Sequence, residues 1–242
     1  MKRRFLVAML VFYLALVALV IVTPQVLAMR SATPPNPTSC TGALAHATTT
    51  GLTVPDGAVC RVSGSTVNGA VAVGRQAYFE ASNTKINGTV HATGAITIFL
   101  HDQTWVTGSL LVDGASQLFL YRTRVSGRLQ VSGSNAPGFG HVQLCDTTAG
   151  EIAVTGSGPD VLIGDPPGGC PGNQVTNDLV VVSNDVRTEL VVSGNVIGGS
   201  LLVSGNVGDS AKHVTNNSVQ GRVDLQGNAA PFDSSNNAAS AT

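Results

Sequence analysis

Charge is what this sequence has least of. Only 11% of its 242 residues are Asp, Glu, Lys or Arg, and just three are Glu and three Lys. Helix surfaces draw heavily on Glu, Lys and Arg, so this scarcity disfavours helical bundles and conventional α/β enzymes. It does not signal disorder, because the chain is 43% apolar and rich in β-branched residues, the reverse of a disordered composition. A formal charge of −1 removes the electrostatic reason to expect nucleic acid as a partner. Aromatics make up only 5% of the chain, and its four cysteines include no Cys-x-x-Cys pair with a nearby histidine. A zinc site is therefore rejected, and no motif calls for a cofactor. What is abundant is Gly, with 28 copies, together with Val, Ser, Thr and Asn. That mixture makes short strands and tight corners.

The N-terminus reads Met-Lys-Arg-Arg, followed by an apolar run from Phe5 to Val22 and then Val26-Leu27-Ala28. This is the pattern of a signal peptide over residues 1–28, cleaved after Ala28. The run is also long enough to cross a bilayer, so an uncleaved anchor over residues 5–22 is the alternative, and the only route to membrane attachment. Either reading exports the rest of the chain. Residues 29–39, with Pro34, Pro35 and Pro37, read as a Pro-rich linker. Residues 229–242 carry Phe232 as their only large apolar residue and read as a disordered tail.

Between them one motif recurs. Val67-Asn-Gly-Ala-Val-Ala-Val73 returns from Ile86, Val106, Val125, Thr148, Val175, Ile197 and Val219, with a degenerate copy at Thr48–Val54; successive starts lie 19, 19, 20, 19, 23, 27, 22 and 22 residues apart. Its fifth and seventh positions are always apolar, the mark of a strand with one buried face. The third is nearly always Gly or Asn, and a second Gly follows at 94, 114, 133, 156, 205 and 227, so the spacing predicts left-handed backbone at the corners. A second alternating segment lies between copies, as in Ile96–Leu100 and Leu118–Leu120. The expected fold is all-β: a single-stranded parallel β-helix over residues 40–228, about nine rungs of 19–27 residues each. The general preference of parallel crossovers makes it right-handed. Propellers and sandwiches do not align apolar positions at this period. Cys40 and Cys60 fall at nearly the same corner of successive rungs, as do Cys145 and Cys170, which selects disulfides 40–60 and 145–170.

The Val-x-Gly-x-Leu-x-Val rungs, with Cys40-Thr-Gly42 and Val54-Pro-Asp-Gly-Ala-Val-Cys60, resemble a group of exported bacterial β-helix repeat proteins. More distantly the repeat style is similar to bactofilins, polymer-forming β-helices that lack a signal peptide and structural disulfides and have more uniform rungs. Neither resemblance carries a catalytic residue.

Two candidate sites follow from the repeat. The outward fourth positions place Glu151 and Asp178 on adjacent rungs beside Arg128, the carboxylate pairing that a polysaccharide lyase or hydrolase of this fold would use. An ion-pair ladder on a solvated face is the plainer reading of the same column. Six aromatics cluster between residues 78 and 121. Alternation puts Phe99 and Phe119 outward, one above the other, with His101 and Tyr121 extending the column and Arg122 and Arg124 at the following corner. Such a patch suits sugar rings or a cell-envelope protein, or is an aromatic ladder covered by the Pro-rich segment or the tail. Asp102 reads as a structural ion pair between Lys85 and Arg124. The combined expectation is an exported structural, adhesive or binding solenoid without catalytic activity, self-associating through its rung ends. The alternative is a carbohydrate-active enzyme using Glu151, Asp178 and Arg128.

Overall fold

A computed structural model describes residues 36–134, 140–158 and 160–239. The predicted signal segment, most of the predicted linker and the last three residues lie outside this range. All described secondary structure is β, wound into a parallel solenoid whose coils each contribute three short strands.

One sheet has ten strands: Ala43–Ala45, Val59–Ser63, Tyr78–Ser82, Thr97–His101, Gln117–Tyr121, His141–Cys145, Asp160–Ile163, Glu189–Ser193, Lys212–Thr215 and Phe232–Asp233. We call this the aromatic face. A motif face runs from Thr38–Ser39 through Val71–Val73 and Val90–Thr93 to Val223–Asp224. A corner face of mostly two-residue strands runs from Thr48–Thr49 through Lys85–Ile86 and Trp105–Val106 to Ala238–Ala239. In the middle of the rod Arg124–Ser132 and Thr148–Thr155 each bend through both of these faces. Each strand pairs in parallel with its counterpart one coil away, so one coil rises about 4.8 Å above the last.

The fifth and seventh motif positions point inward throughout, as Val71 and Val73, Leu110 and Val112, or Leu201 and Val203 do, all buried. Two copies start one residue later than the motif suggests. Thr49 pairs with Val67, and Ala149 pairs with Val125 across a register shift. A one-residue contraction between strands thus makes the first motif position the buried Ala149 in place of Thr148, and Thr49 in place of Thr48.

The two glycine columns have different causes. The second, as at Gly94 with φ +62°, is left-handed as expected. The motif glycine is not: at Gly88 an added Cβ would lie 2.5 Å from the Gly69 carbonyl oxygen one coil below. Close backbone approach, and not a positive φ, excludes a side chain there.

The solenoid extends beyond the predicted limits. Thr38–Ser39 pairs with Leu52–Thr53, so the end of the predicted linker is already a strand. Residues 229–239, read as a tail, complete a further coil: Lys212↔Phe232 and Ser218↔Ala238 are in register. Edge backbone groups recruit these polar strands although they carry little apolar surface.

Polar side chains occupy the inner corners of the rod. Through the first six coils these are mainly Ser and Thr, as where Thr104 and Thr123 Oγ1 each donate 2.9 Å bonds to the carbonyls of Ala81 and Leu100. Farther on, asparagine takes over and stacks on itself. Asn173, Asn195, Asn217 and Asn237 form one ladder, each Nδ2 donating to the next Oδ1 at 2.8–2.9 Å. Asn184, Asn206 and Asn228 form a second at 2.8 Å. Each amide also donates to an internal carbonyl, such as Ile163 for Asn195 and Val181 for Asn206. Each interior Oδ1 accepts a backbone N–H from the preceding coil as well. Burial of these amides is tolerable because their donors and acceptors are matched. Lys212 is another buried polar residue, occupying an inward position between Leu190 and Phe232 while its ammonium donates to the carbonyls of Gly208 and Ser210 at 2.8 and 2.9 Å.

Candidate functional site

Both disulfides form as the spacing required. Cys40–Cys60 and Cys145–Cys170 have Cα separations of 5.5 and 5.0 Å and leave no free cysteine among the described residues. The second ties the turn around Cys170 to the end of the His141–Cys145 strand.

The strands Thr97–His101 and Gln117–Tyr121 pair with Phe99 opposite Phe119. Strict alternation sends Ile98, Leu100, Leu118 and Leu120 inward and leaves the phenyl rings outside. The two rings meet edge-on, with centroids 6.1 Å apart and planes at 79°. His101 stacks on Phe99 at 4.2 Å, and His141, from the next coil, lies 5.0 Å from Phe119. The result is a ribbon of four rings along the solenoid. It lies beside an open groove of about 490 Å³ whose lining includes Tyr78, Thr97, Gln117, Tyr121 and Gln143. Phe79, counted in the aromatic cluster, is fully buried and belongs to the core. The tail cannot cover this ribbon through residue 239, because its strands stack at the far end of the rod.

A polar network holds one flank. Glu80 accepts from Tyr78 Oη at 2.9 Å and Arg61 Nε at 3.1 Å, and lies 3.3 Å from His101 Nε2. His101 Nδ1 is 2.8 Å from Asp102. Burial alone would push the Glu80 carboxyl up, but the bonds from Tyr78, His101 and Arg61 together outweigh it and hold it below the usual carboxylate value. Burial and the Glu80 bond push the Tyr78 hydroxyl up. On the other flank, a 2.6 Å contact with Asp160 raises the His141 imidazole above its ordinary value, against the opposing effect of burial.

The two arginines separate. Arg122 lies over the Tyr121 ring at 4.7 Å and bonds its hydroxyl at 3.1 Å. Arg124 has turned onto the corner face, where it pairs in register with Trp105 and lies 5.3 Å above its ring, while Lys85 lies 4.9 Å from the same ring on the other side. The expected Asp102 bridge to Lys85 and Arg124 is replaced by these cation–π contacts, and Asp102 turns to His101 instead. Trp105 is fixed by a 2.9 Å bond from Nε1 to Ser126 Oγ.

Arg128 and Glu151 do pair, at 3.3 Å. Asp178 follows them in the column, but its Oδ1 accepts the Ser200 backbone N–H at 2.7 Å. Ser109 and Ser200 cap the next coil in the same way. Among the described residues, no three His, Cys, Asp or Glu side chains gather closely enough to hold a metal ion.

Sequence reasoning counted Tyr78 in the aromatic cluster without assigning it a place at the site, and omitted His141. His141-Val-Gln-Leu144 alternates as the other strands do, which places His141 outward; its distance from Phe119 depended on the length of the preceding turn. These features define the class: a disulfide-stapled parallel β-solenoid with a ring-lined groove on one face. No protein family, curated protein or solved structure matches this chain. Of the expected resemblance to exported repeat proteins and to bactofilins, the structure supports the parallel β-solenoid alone.

Proposed function

We propose that this protein is an exported binding solenoid that holds polysaccharide in the groove of its aromatic face. The supporting observation is the outward ribbon His101–Phe99–Phe119–His141. Large rings on a solvent-facing sheet need a reason, and the C–H faces of pyranoses meet aromatic rings well. The amides of Gln117 and Gln143 and the hydroxyl of Tyr121, all lining the groove, supply partners for sugar hydroxyls. Two disulfides suit an oxidising, extracytoplasmic compartment. The regular lattice serves as a rigid support, which is the structural or adhesive part of the role. End-to-end self-association fits it too, since the first and last described coils each pair with a neighbour on one side only.

Affinity electrophoresis through gels containing soluble polysaccharides tests the reading. Retardation of the native protein, abolished in Phe99→Ala/Phe119→Ala, is the expected result. Equal retardation of both proteins by every polymer that binds would remove the groove from the function.

A further inference from the structure

Resting on that reading, we infer that the polysaccharide is acidic, with a charged group on every second sugar. Three cations stand where the aromatic face turns into the corner face, and rings position them. Lys85 and Arg124 clamp Trp105 from the two sides, and Arg122 lies on Tyr121. None of the three has a carboxylate partner within salt-bridge distance among the described residues, whereas Arg61, Arg128 and Arg187 each do. A cation held by an aromatic ring keeps its charge available and is already ordered, so an incoming anion meets a prepared group.

The two parts of the site are contiguous. Tyr121 lines the groove, and the next residue, Arg122, lines a second open cavity of about 430 Å³ together with Gln103, Trp105, Arg124 and Asp146. Asp146 is an opposing charge there; Asp102, at the same corner, is held by His101.

Spacing selects the ligand pattern. Phe99 and Phe119 are one coil apart, with ring centroids 6.1 Å apart, which places one sugar on each coil. Lys85 and Arg124 pair with Trp105 from opposite sides, so they are two coils or ~9.6 Å apart, the length of a disaccharide unit. A chain lying along the rod, with rings against the ribbon and a carboxylate on alternate sugars, meets Lys85 at one charged unit and Arg122 with Arg124 at the next. A neutral polymer leaves all three cations unused.

Isothermal titration with hyaluronan, which carries a uronate on alternate sugars, and with the same polymer after chemical reduction of its carboxyls tests this. Hyaluronan is expected to bind about tenfold more tightly than the reduced polymer, with the difference shrinking as salt is raised. The exposed-site variant Lys85→Gln/Arg122→Gln/Arg124→Gln should lose that difference and still bind the reduced polymer, which also reports an intact fold. Equal binding of the two polymers by the native protein, lost in Phe99→Ala/Phe119→Ala, would overturn the acidic preference and leave the groove reading standing. Hyaluronan binding lost in the triple variant but untouched in Phe99→Ala/Phe119→Ala would support the cations and refute the groove. An oligo-dT strand binding as tightly as hyaluronan would show a general polyanion surface and overturn the inference.

Discussion

Replacing Asn195 by Ala tests whether the asparagine ladders hold the C-terminal half of the rod together. The buried Asn195 side chain makes four hydrogen bonds: its Nδ2 donates to Ile163 O and Asn217 Oδ1, and its Oδ1 accepts from the Asn173 N–H and Nδ2, all at 2.8–2.9 Å. Alanine removes all four. Asn217 Oδ1 keeps the Asn195 N–H and Asn173 Nδ2 keeps Leu144 O, but the buried Asn173 N–H loses its acceptor. At about 1 kcal/mol for each of the other three bonds and about 1–3 kcal/mol for the orphaned buried donor, the total cost is about 4–6 kcal/mol. Asn195→Thr restores the single hydroxyl donor used in earlier coils and should cost about half as much. Asn237→Ala removes three bonds in the last and half-exposed rung of the same ladder, where water can replace the lost partners, and should cost about 1–2 kcal/mol. Urea unfolding followed by far-UV circular dichroism gives the three values. Hydrogen exchange should locate the loss: because coils couple only to their neighbours, amides beyond residue 160 should exchange faster in Asn195→Ala while those before residue 110 stay protected. Equal costs for Asn195→Ala and Asn237→Ala, or uniform loss of protection along the rod, would refute the argument.

The disulfides close loops of 20 and 25 residues, so Cys40→Ala/Cys60→Ala and Cys145→Ala/Cys170→Ala should each lose about 3 kcal/mol in chemical unfolding; a loss below about 1 kcal/mol would show that stacking alone fixes those coils. The folded imidazole of His141 is raised by Asp160, so its contribution is fully present below the ordinary value of about 6.5 and disappears as pH rises through the folded value. Native protein should therefore exceed His141→Gln in melting temperature at pH 6 by more than at pH 9, and an unchanged difference would show that the Asp160 contact is not an ion pair.

Much of the architecture is legible locally. The apolar fifth and seventh positions reveal both the strand and its buried side, because alternation is a property of the extended chain itself. The same reasoning places Phe99 and Phe119 outside and pairs the cysteines, since residues at one corner of a regular coil must lie one above the other. It fails where coils differ in length. The contractions before Leu52 and Ile152 shift the register by one residue, and Arg124 crosses to a different face from Tyr121 only because the chain bends between them. The 22-residue recurrence of Asn173, Asn195 and Asn217 is present in the sequence as well, yet asparagine alone is equally at home in an exposed turn.

By itself, then, the sequence determined the period, the inward and outward faces, the disulfide pairing and the neighbouring positions of Phe99 and Phe119. All of these follow from short-range geometry repeated along the chain. Only the tertiary structure decided that the asparagines face inward and bond to one another, that polar residues 229–239 close another coil, that Asp178 caps a backbone amide, and that Lys85 and Arg124 grip Trp105. Each of those outcomes depends on which group from the adjacent coil lies within hydrogen-bond or ring-contact distance. That is set by how the coils stack, and no single rung contains the information.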